Sequence, residues 1–290
     1  MRIINLFVLL LSFGLLMGSC GPKSRGSSLI SVSILPQKYF IDELTGGAVE
    51  VNVMLSPGAS HATYSPTPLQ FQKLSDSKLY ISIGHLGYEQ AWNNRLKELN
   101  PEMDVLVLSD KVDLIHGESF HHGDHAHEGG VDSHFWMSPA VIMDLLPVIK
   151  ATLIRNFPEL SNTIESNYPV LFSRVEALHN RMETMSRTLT NRRFLIFHPA
   201  LTYLARDYGL EQIPIEQEGK EPSPALLAKT IAFAKEKEIP VIFIQKEYDV
   251  RNAKLVSEET QTRLVQIDPM AYNWMESMDQ IISNLQENLQ

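Results

Sequence analysis

The sequence predicts an α/β protein of two similar lobes, each a four-stranded sheet flanked by helices, joined by one long rigid helix. Two observations carry that prediction. Short apolar runs alternate with helical patterns in two separate series of four, as expected of packed strands and crossover helices. Between the series, Ile164, Tyr168, Leu171, Val175, Leu178, Met182, Met185 and Leu189 recur at spacings of 4, 3, 4, 3, 4, 3 and 4. That is one apolar stripe on a helix of roughly 30 residues, about 45 Å long at ~1.5 Å per residue.

In chain order, residues 29–33, 49–54, 78–82 and 104–108 read as strands, with helices at 37–44, 68–74 and 89–99 between them. The second series places strands at 193–197, 211–215, 241–244 and 264–267, and helices at 201–208, 224–236, 251–259 and 272–288. Pro222-Ser223-Pro224 has the form of an N-cap followed by proline at the first helical position. Pro169 lies off the apolar stripe and either kinks the long helix or delays its start. A dimeric coiled-coil seam would need regular flanking charge pairs, which the stripe lacks. The expected organisation is therefore 29–157 for the first lobe, 158–190 for the linking helix and 191–290 for the second lobe.

The first residues carry a different signal. Arg2 precedes an almost unbroken apolar run from Ile3 to Met17, followed by Gly18-Ser19-Cys20. The run is short for a membrane span and ends in small residues, so 1–19 reads as a signal peptide. Cys20 is the single cysteine of the chain, which leaves no intrachain disulfide to form. Its position resembles the lipidated cysteine of bacterial lipoproteins. That resemblance implies a diacylated, N-acylated Cys20 anchored in a bilayer, and 20–28 as a polar tether.

With 44% hydrophobic and 20% charged residues the chain has the composition of a globular protein. Its formal charge of −9 becomes −10 once Arg2, the one charge in the signal segment, is removed. An acidic surface argues against a nucleic-acid partner.

Histidine carries the chemistry. Five of the ten histidines (His116, His121, His122, His125 and His127) fall within one polar tract, 116–130, that has no apolar periodicity. Clustered imidazoles among carboxylates suit zinc, copper or nickel. His61 follows the second strand, and His134 lies between the polar tract and a helix. His198 and Asp268 each follow a strand of the second series, where open α/β sheets bind ligands. Two of these four residues come from each lobe, so a cleft between the lobes is their natural meeting place. His85 reads as a structural or surface histidine, His179 as exposed on the long helix, and Trp92, Trp136 and Trp274 as core or inter-lobe packing.

These residues sit in a set of motifs: Pro57-Gly58 with His61, Tyr64 and Pro66-Thr67-Pro68; Gly84 with Gly87-Tyr88-Glu89 and Trp92; His134-Phe135-Trp136-Met137-Ser138-Pro139; His198-Pro199-Ala200 with Tyr203-Leu204-Ala205 and Tyr208-Gly209-Leu210; and Glu218-Gly219-Lys220-Glu221-Pro222-Ser223-Pro224. In this order they resemble the substrate-binding proteins of bacterial zinc and manganese ABC importers, along essentially the whole mature chain. The resemblance implies a metal site of His61, His134, His198 and Asp268 in the inter-lobe cleft, with water as the alternative fourth donor. It also implies a histidine-rich insertion typical of the zinc-type members, here 116–130 as an auxiliary zinc-binding loop. The family's Asp-Pro before the second histidine is here Asp132-Ser133, a change expected to alter stiffness more than chemistry.

The implied cargo is Zn²⁺, with Mn²⁺ second, because manganese members commonly carry glutamate where His198 stands. The implied function is extracytoplasmic metal capture for an ABC permease by a monomeric, non-enzymatic lipoprotein at the periplasmic or cell surface. A surface metal buffer or adhesin would share every motif. An extracellular zinc hydrolase would need an open coordination position and a general base, and no His-Glu-x-x-His helix occurs. If Cys20 is the anchor, Cys20→Ser leaves the fold intact and moves the protein from the membrane to the soluble fraction. Wild-type protein recovered soluble with an unmodified N-terminus at Cys20 would exclude lipidation.

Overall fold

Two parallel sheets with the same internal order organise the protein. The computed structural model describes residues 29–56, 58, 64–116, 120–122, 125–127, 130–216 and 221–290. The expected signal peptide, Cys20, the tether and His61 lie outside the described residues. In the first lobe β1 (Leu29–Val32), β2 (Glu50–Val53), β3 (Leu79–Ser82) and β4 (Asp104–Val107) run in the order β2-β1-β3-β4. In the second, β7 (Arg193–Ile196), β8 (Glu211–Pro214), β9 (Val241–Gln245) and β10 (Arg263–Ile267) run β8-β7-β9-β10. Each sheet thus begins at its middle, adds a strand on one side and then extends on the other. All these pairs are parallel, so each connection must cross over the sheet, and the helices are those crossovers.

In the first lobe the crossovers are α1 (Leu35–Thr45), α2 (Pro68–Ser75) and α3 (Gly87–Leu99). Thr67 and Gln70 cap α2 reciprocally: the Thr67 hydroxyl accepts the Gln70 N–H, and the Gln70 side chain accepts the Thr67 N–H. At the start of α3, the buried Glu89 carboxylate accepts the N–H groups of Ile83, Gly84 and Leu86 and the hydroxyls of Ser33, Tyr80 and Ser82. That tight turn requires glycine at 84, where φ is +107° and a Cβ would lie 2.1 Å from the Ser109 hydroxyl. In the second lobe α6 (Thr202–Tyr208), α7 (Pro224–Glu236) and α8 (Val250–Thr260) are followed by α9 (Trp274–Leu289), numbered after the two linking helices. Ser223 caps α7 through the Leu226 N–H, with Pro224 as its first residue, as the sequence predicts.

The lobes are joined by α4 (Pro139–Asn156) and α5 (Ser161–Ser186). The apolar stripe falls on α5: Ile164, Leu171, Val175, Leu178, Met182 and Met185 are buried, and Leu189 is buried just past its end. The helix is shorter than the expected 158–190, because a 3₁₀ turn, Pro158–Leu160, precedes it. Pro169 neither ends it nor delays it. The proline is on the solvent face, where water can satisfy the carbonyl it leaves unpaired. His179, expected exposed, is instead half-buried and shares a 2.9 Å hydrogen bond with Tyr208, tying α5 to α6. The sequence pattern marks it as off the stripe but does not show that α6 covers that flank.

α5 packs on α1 of the first lobe and on α6 and α9 of the second. Arg174 pairs with Glu43 of α1, and Arg181 with Asp279 of α9, both at 2.6 Å. One continuous core includes Ile30, Tyr80 and Leu145 from one side and Phe194, Phe243 and Ile282 from the other. A smaller core, built on Leu195, Phe197, Ile242 and Ile244, fills the opposite face of the second sheet. The lobes also meet directly. The Trp136 indole donates to the Pro269 carbonyl at 3.0 Å, and the Trp274 indole donates to the Trp136 carbonyl at 2.8 Å.

The polar tract 116–130 departs from the expected irregular loop. Its backbone forms an antiparallel pair, β5 (Phe120–His122) with β6 (His125–His127), above a bridge between His116 and Val131. Polar composition does not forbid a ladder whose hydrogen bonds are all backbone.

Because α5 carries one core shared by both lobes, Leu171→Ala is expected to lower stability by about 2–5 kcal/mol. Thermal and urea unfolding are expected to remain a single transition. Two resolved transitions, one for each lobe, would contradict a shared core.

Candidate metal centre

The second sheet positions His198. Strand β7 continues one residue past its named end, as the Phe197 N–H bonds to the Phe243 carbonyl at 2.8 Å. The buried Gln245 at the end of β9 then grips His198 through both backbone groups. Its amide oxygen accepts the His198 N–H and its amide nitrogen donates to the His198 carbonyl. Beside it, the Glu216 N–H bonds to the Phe197 carbonyl, so Glu216, two residues past β8, is carried level with His198. The Glu216 carboxylate accepts a hydrogen bond from His198 Nδ1 at 2.6 Å. Tyr248 stacks on the imidazole, 5.2 Å between centroids and 21° between planes.

His134 reaches the same point from the chain between the lobes. It opens a 3₁₀ turn, His134–Met137, whose residues are all buried. Asp132 accepts both the His134 N–H and Nδ1–H, each at 2.8 Å. Tyr203 of α6 accepts the Ile115 N–H and donates to the Asp132 carbonyl, pinning both ends of the histidine-rich tract beside His134.

The two rings therefore have the same arrangement: Nδ1 bound to a carboxylate, and Nε2 turned toward the other ring. Their Nε2 atoms are 3.3 Å apart. A proton on each Nδ1 makes each Nε2 a lone-pair donor, and the carboxylates raise the basicity of those lone pairs. Two donors bonded tetrahedrally to one zinc at ~2.0–2.1 Å would be about 3.3–3.4 Å apart. Burial lowers the pKa of His198 below the ordinary imidazole range, with Glu216 opposing, so the ring is neutral at neutral pH. Burial raises the Asp132 carboxyl, but the electrostatic pull of the His134 ring and the hydrogen bonds from His134 and Thr202 outweigh it and hold the group at about 2.

Asp268 follows β10, at the cleft, and is half-buried. One carboxylate oxygen accepts the Met270 N–H at 3.2 Å and the other accepts the Lys246 ammonium at 2.7 Å. Ser56 and Gly58, from the loop that carries His61, line with Asp268, Lys246 and Glu247 a cavity of about 240 Å³ between the lobes. Among the described residues no three His, Cys, Asp or Glu side chains are grouped closely enough to hold one ion. His134 and His198 are brought together, Asp268 lines the inter-lobe cavity, and His61 lies outside the described residues. His116 is exposed at the base of its hairpin; for His121, His122, His125 and His127 the backbone alone is described. His85 lines a separate cavity of about 410 Å³ in the first lobe.

Sequence reasoning missed several residues of this centre. In sequence Asp132 reads only as part of the Asp132-Ser133 dipeptide, without the role its carboxylate takes at His134 Nδ1. Glu216 had a legible signal, since it too follows a strand at the ligand-binding edge of a parallel sheet. Gln245 and Tyr248 had none, because their roles depend on the pairing of β9 with β7.

The sequence model of the family described as zinc-uptake complex component A, periplasmic (ZnuA) matches residues 30–290. A high-affinity zinc uptake system protein of Bacillus subtilis is 26% identical over 276 residues, 88% of this chain and 84% of that protein. The zinc-binding lipoprotein AdcA of Streptococcus pneumoniae is 24% identical over 267 residues. That alignment takes in 86% of this chain and 51% of the longer protein, so the chain spans about half of that relative. A solved structure, the crystal structure of ZnuA, matches with a TM-score of 0.80 at 30% identity, covering 90% of this chain and 99% of that one. None of the described helices is long and apolar enough to cross a membrane.

If the carboxylates orient the rings, Asp132→Asn and Glu216→Gln keep the fold but each weaken zinc by about 10–100-fold, the usual loss for an outer-shell partner. Chelator-competition titration measures it. Wild-type curves for both variants would remove the orienting role.

Proposed function

The chain belongs to the ZnuA family of periplasmic zinc-uptake components, and from that premise we propose that it captures zinc outside the cytoplasm for delivery to an ABC-type importer. The family is one of substrate-binding proteins that work with a membrane permease. In this reading the chain is monomeric, has no enzymatic activity, and is held at the membrane by a lipid on Cys20.

The observation that carries the proposal is the pair of Nε2 atoms 3.3 Å apart, each imidazole held by a carboxylate at Nδ1. That spacing matches two corners of a zinc tetrahedron, and neutral imidazole is the donor zinc favours over manganese. His134 and His198 supply two corners. His61 is proposed as the third, because its loop borders the same cleft through Ser56 and Gly58. Asp268 or water completes the set. The zinc-binding names of the relatives agree with this cargo, and Mn²⁺ is the second-choice ion.

The histidine tract is proposed as an auxiliary, weaker zinc site. Tyr203 binds Ile115 and Asp132, on either side of the tract, which supports a place for it beside the centre.

Protein purified without added metal is expected to carry one tight zinc equivalent. His61→Ala, His134→Ala and His198→Ala should each weaken zinc by more than the roughly 10–100-fold of an outer-shell loss, with Asp268→Ala milder. Near-native titration curves for all three histidine variants would overturn the proposal.

A further inference from the structure

The fourth donor has a competitor built into the chain. Asp268 is paired with Lys246, the residue that follows β9, at 2.7 Å, and both line the inter-lobe cavity of about 240 Å³. Neither oxygen of Asp268 is idle, since the Met270 N–H occupies the other. The hydrogen bond from Met270 is neutral and compatible with a cation on a second lone pair. The ammonium is not, because its charge repels any divalent ion that approaches the same carboxylate. A long, flexible lysine stem with a side chain 62% exposed can leave the carboxylate for solvent without disturbing buried packing. The neighbouring Glu247 lies within electrostatic reach of both Asp268 and His134. Lys246 is therefore a cation that offsets two carboxylates lining the inter-lobe cavity.

From this arrangement we infer that Lys246 is a selectivity residue: it occupies the Asp268 carboxylate as a tethered cation, so that an incoming metal meets this carboxylate already paired. The inference rests on the proposed metal site. Zinc is well served by imidazoles, whereas manganese depends on carboxylate and water. Withholding the carboxylate therefore disfavours manganese more than zinc. Lys246 sets the ratio of the two affinities, not the capacity to bind zinc.

The test measures Zn²⁺ and Mn²⁺ affinity by chelator competition on the full protein and on Lys246→Gln, Lys246→Arg, Asp268→Asn and the Lys246→Gln/Asp268→Asn double variant. Lys246→Gln is expected to tighten manganese on the order of 3- to 5-fold, the scale of a solvent-exposed ion pair, and to leave zinc nearly unchanged. Lys246→Arg keeps the charge and should bind both metals as wild type does. In the Asp268→Asn background the manganese gain should vanish. Equal shifts for both metals, no shift, or a gain that survives Asp268→Asn would each overturn the inference. His198→Ala, run alongside, separates the two levels. Zinc lost in His198→Ala while Lys246→Gln changes nothing sinks the selectivity role and leaves the metal site standing. Zinc unaffected by His198→Ala would sink both.

Discussion

The apolar stripe of α5 is the constraint on which the rest depends. A helix that buries Ile164, Leu171, Val175, Leu178, Met182 and Met185 against both lobes gives them one shared main core, the second lobe adding a smaller core on the far face of its sheet. Opening a hinge between the lobes would expose parts of that stripe to water, at roughly 25 cal/mol for each Å² of apolar surface. The two indole hydrogen bonds of Trp136 and Trp274 add a second tie close to the cleft. The cleft is therefore a fixed space between two sheet edges, and the side chains in it can be preorganised.

Preorganisation at this centre comes from two carboxylates, a part-buried Asp132 and a buried Glu216. An imidazole alone can rotate and can change tautomer, and either change would take the lone pair off target. Asp132 and Glu216 remove both freedoms by holding Nδ1–H. Each carboxylate is in turn placed by the fold: Asp132 through the Tyr203 hydroxyl on its carbonyl, Glu216 through its backbone bond to Phe197. With the two Nε2 atoms already held 3.3 Å apart, a site of this kind would bind with little reorganisation.

Lys246 and Asp268 add a contrasting element at the rim. The imidazoles are buried and rigid, whereas the lysine is exposed and free to move. In the proposed reading, a buried inner pair with an adjustable outer carboxylate would divide strength from selectivity: the histidines would hold the ion, and the rim would discriminate between ions of different ligand preference. The acidic Glu247 nearby draws cations of either kind, so discrimination has to come from which donor is available and not from charge alone.

Much of this fold was legible in the sequence because its signals are local. The alternation of strands and helices, the cap at Ser223 and the stripe on α5 all follow from the periodicity of buried side chains. His198 and Asp268 were legible as candidates because each directly follows a strand at the ligand-binding edge of a parallel sheet. What the tertiary structure alone decided is which of these residues face one another. The order β8-β7-β9-β10 brings Glu216 and Gln245 to His198, although they stand 18 and 47 positions away along the chain. The meeting of His134 with His198, 64 positions apart, depends on how the chain between the lobes folds back. The same holds for Lys246 at Asp268, the covering of His179 by Tyr208, and the backbone pairing within the histidine tract. Periodicity specifies the face on which a residue lies; the packing of distant elements specifies its neighbours, and metal selectivity is a property of neighbours.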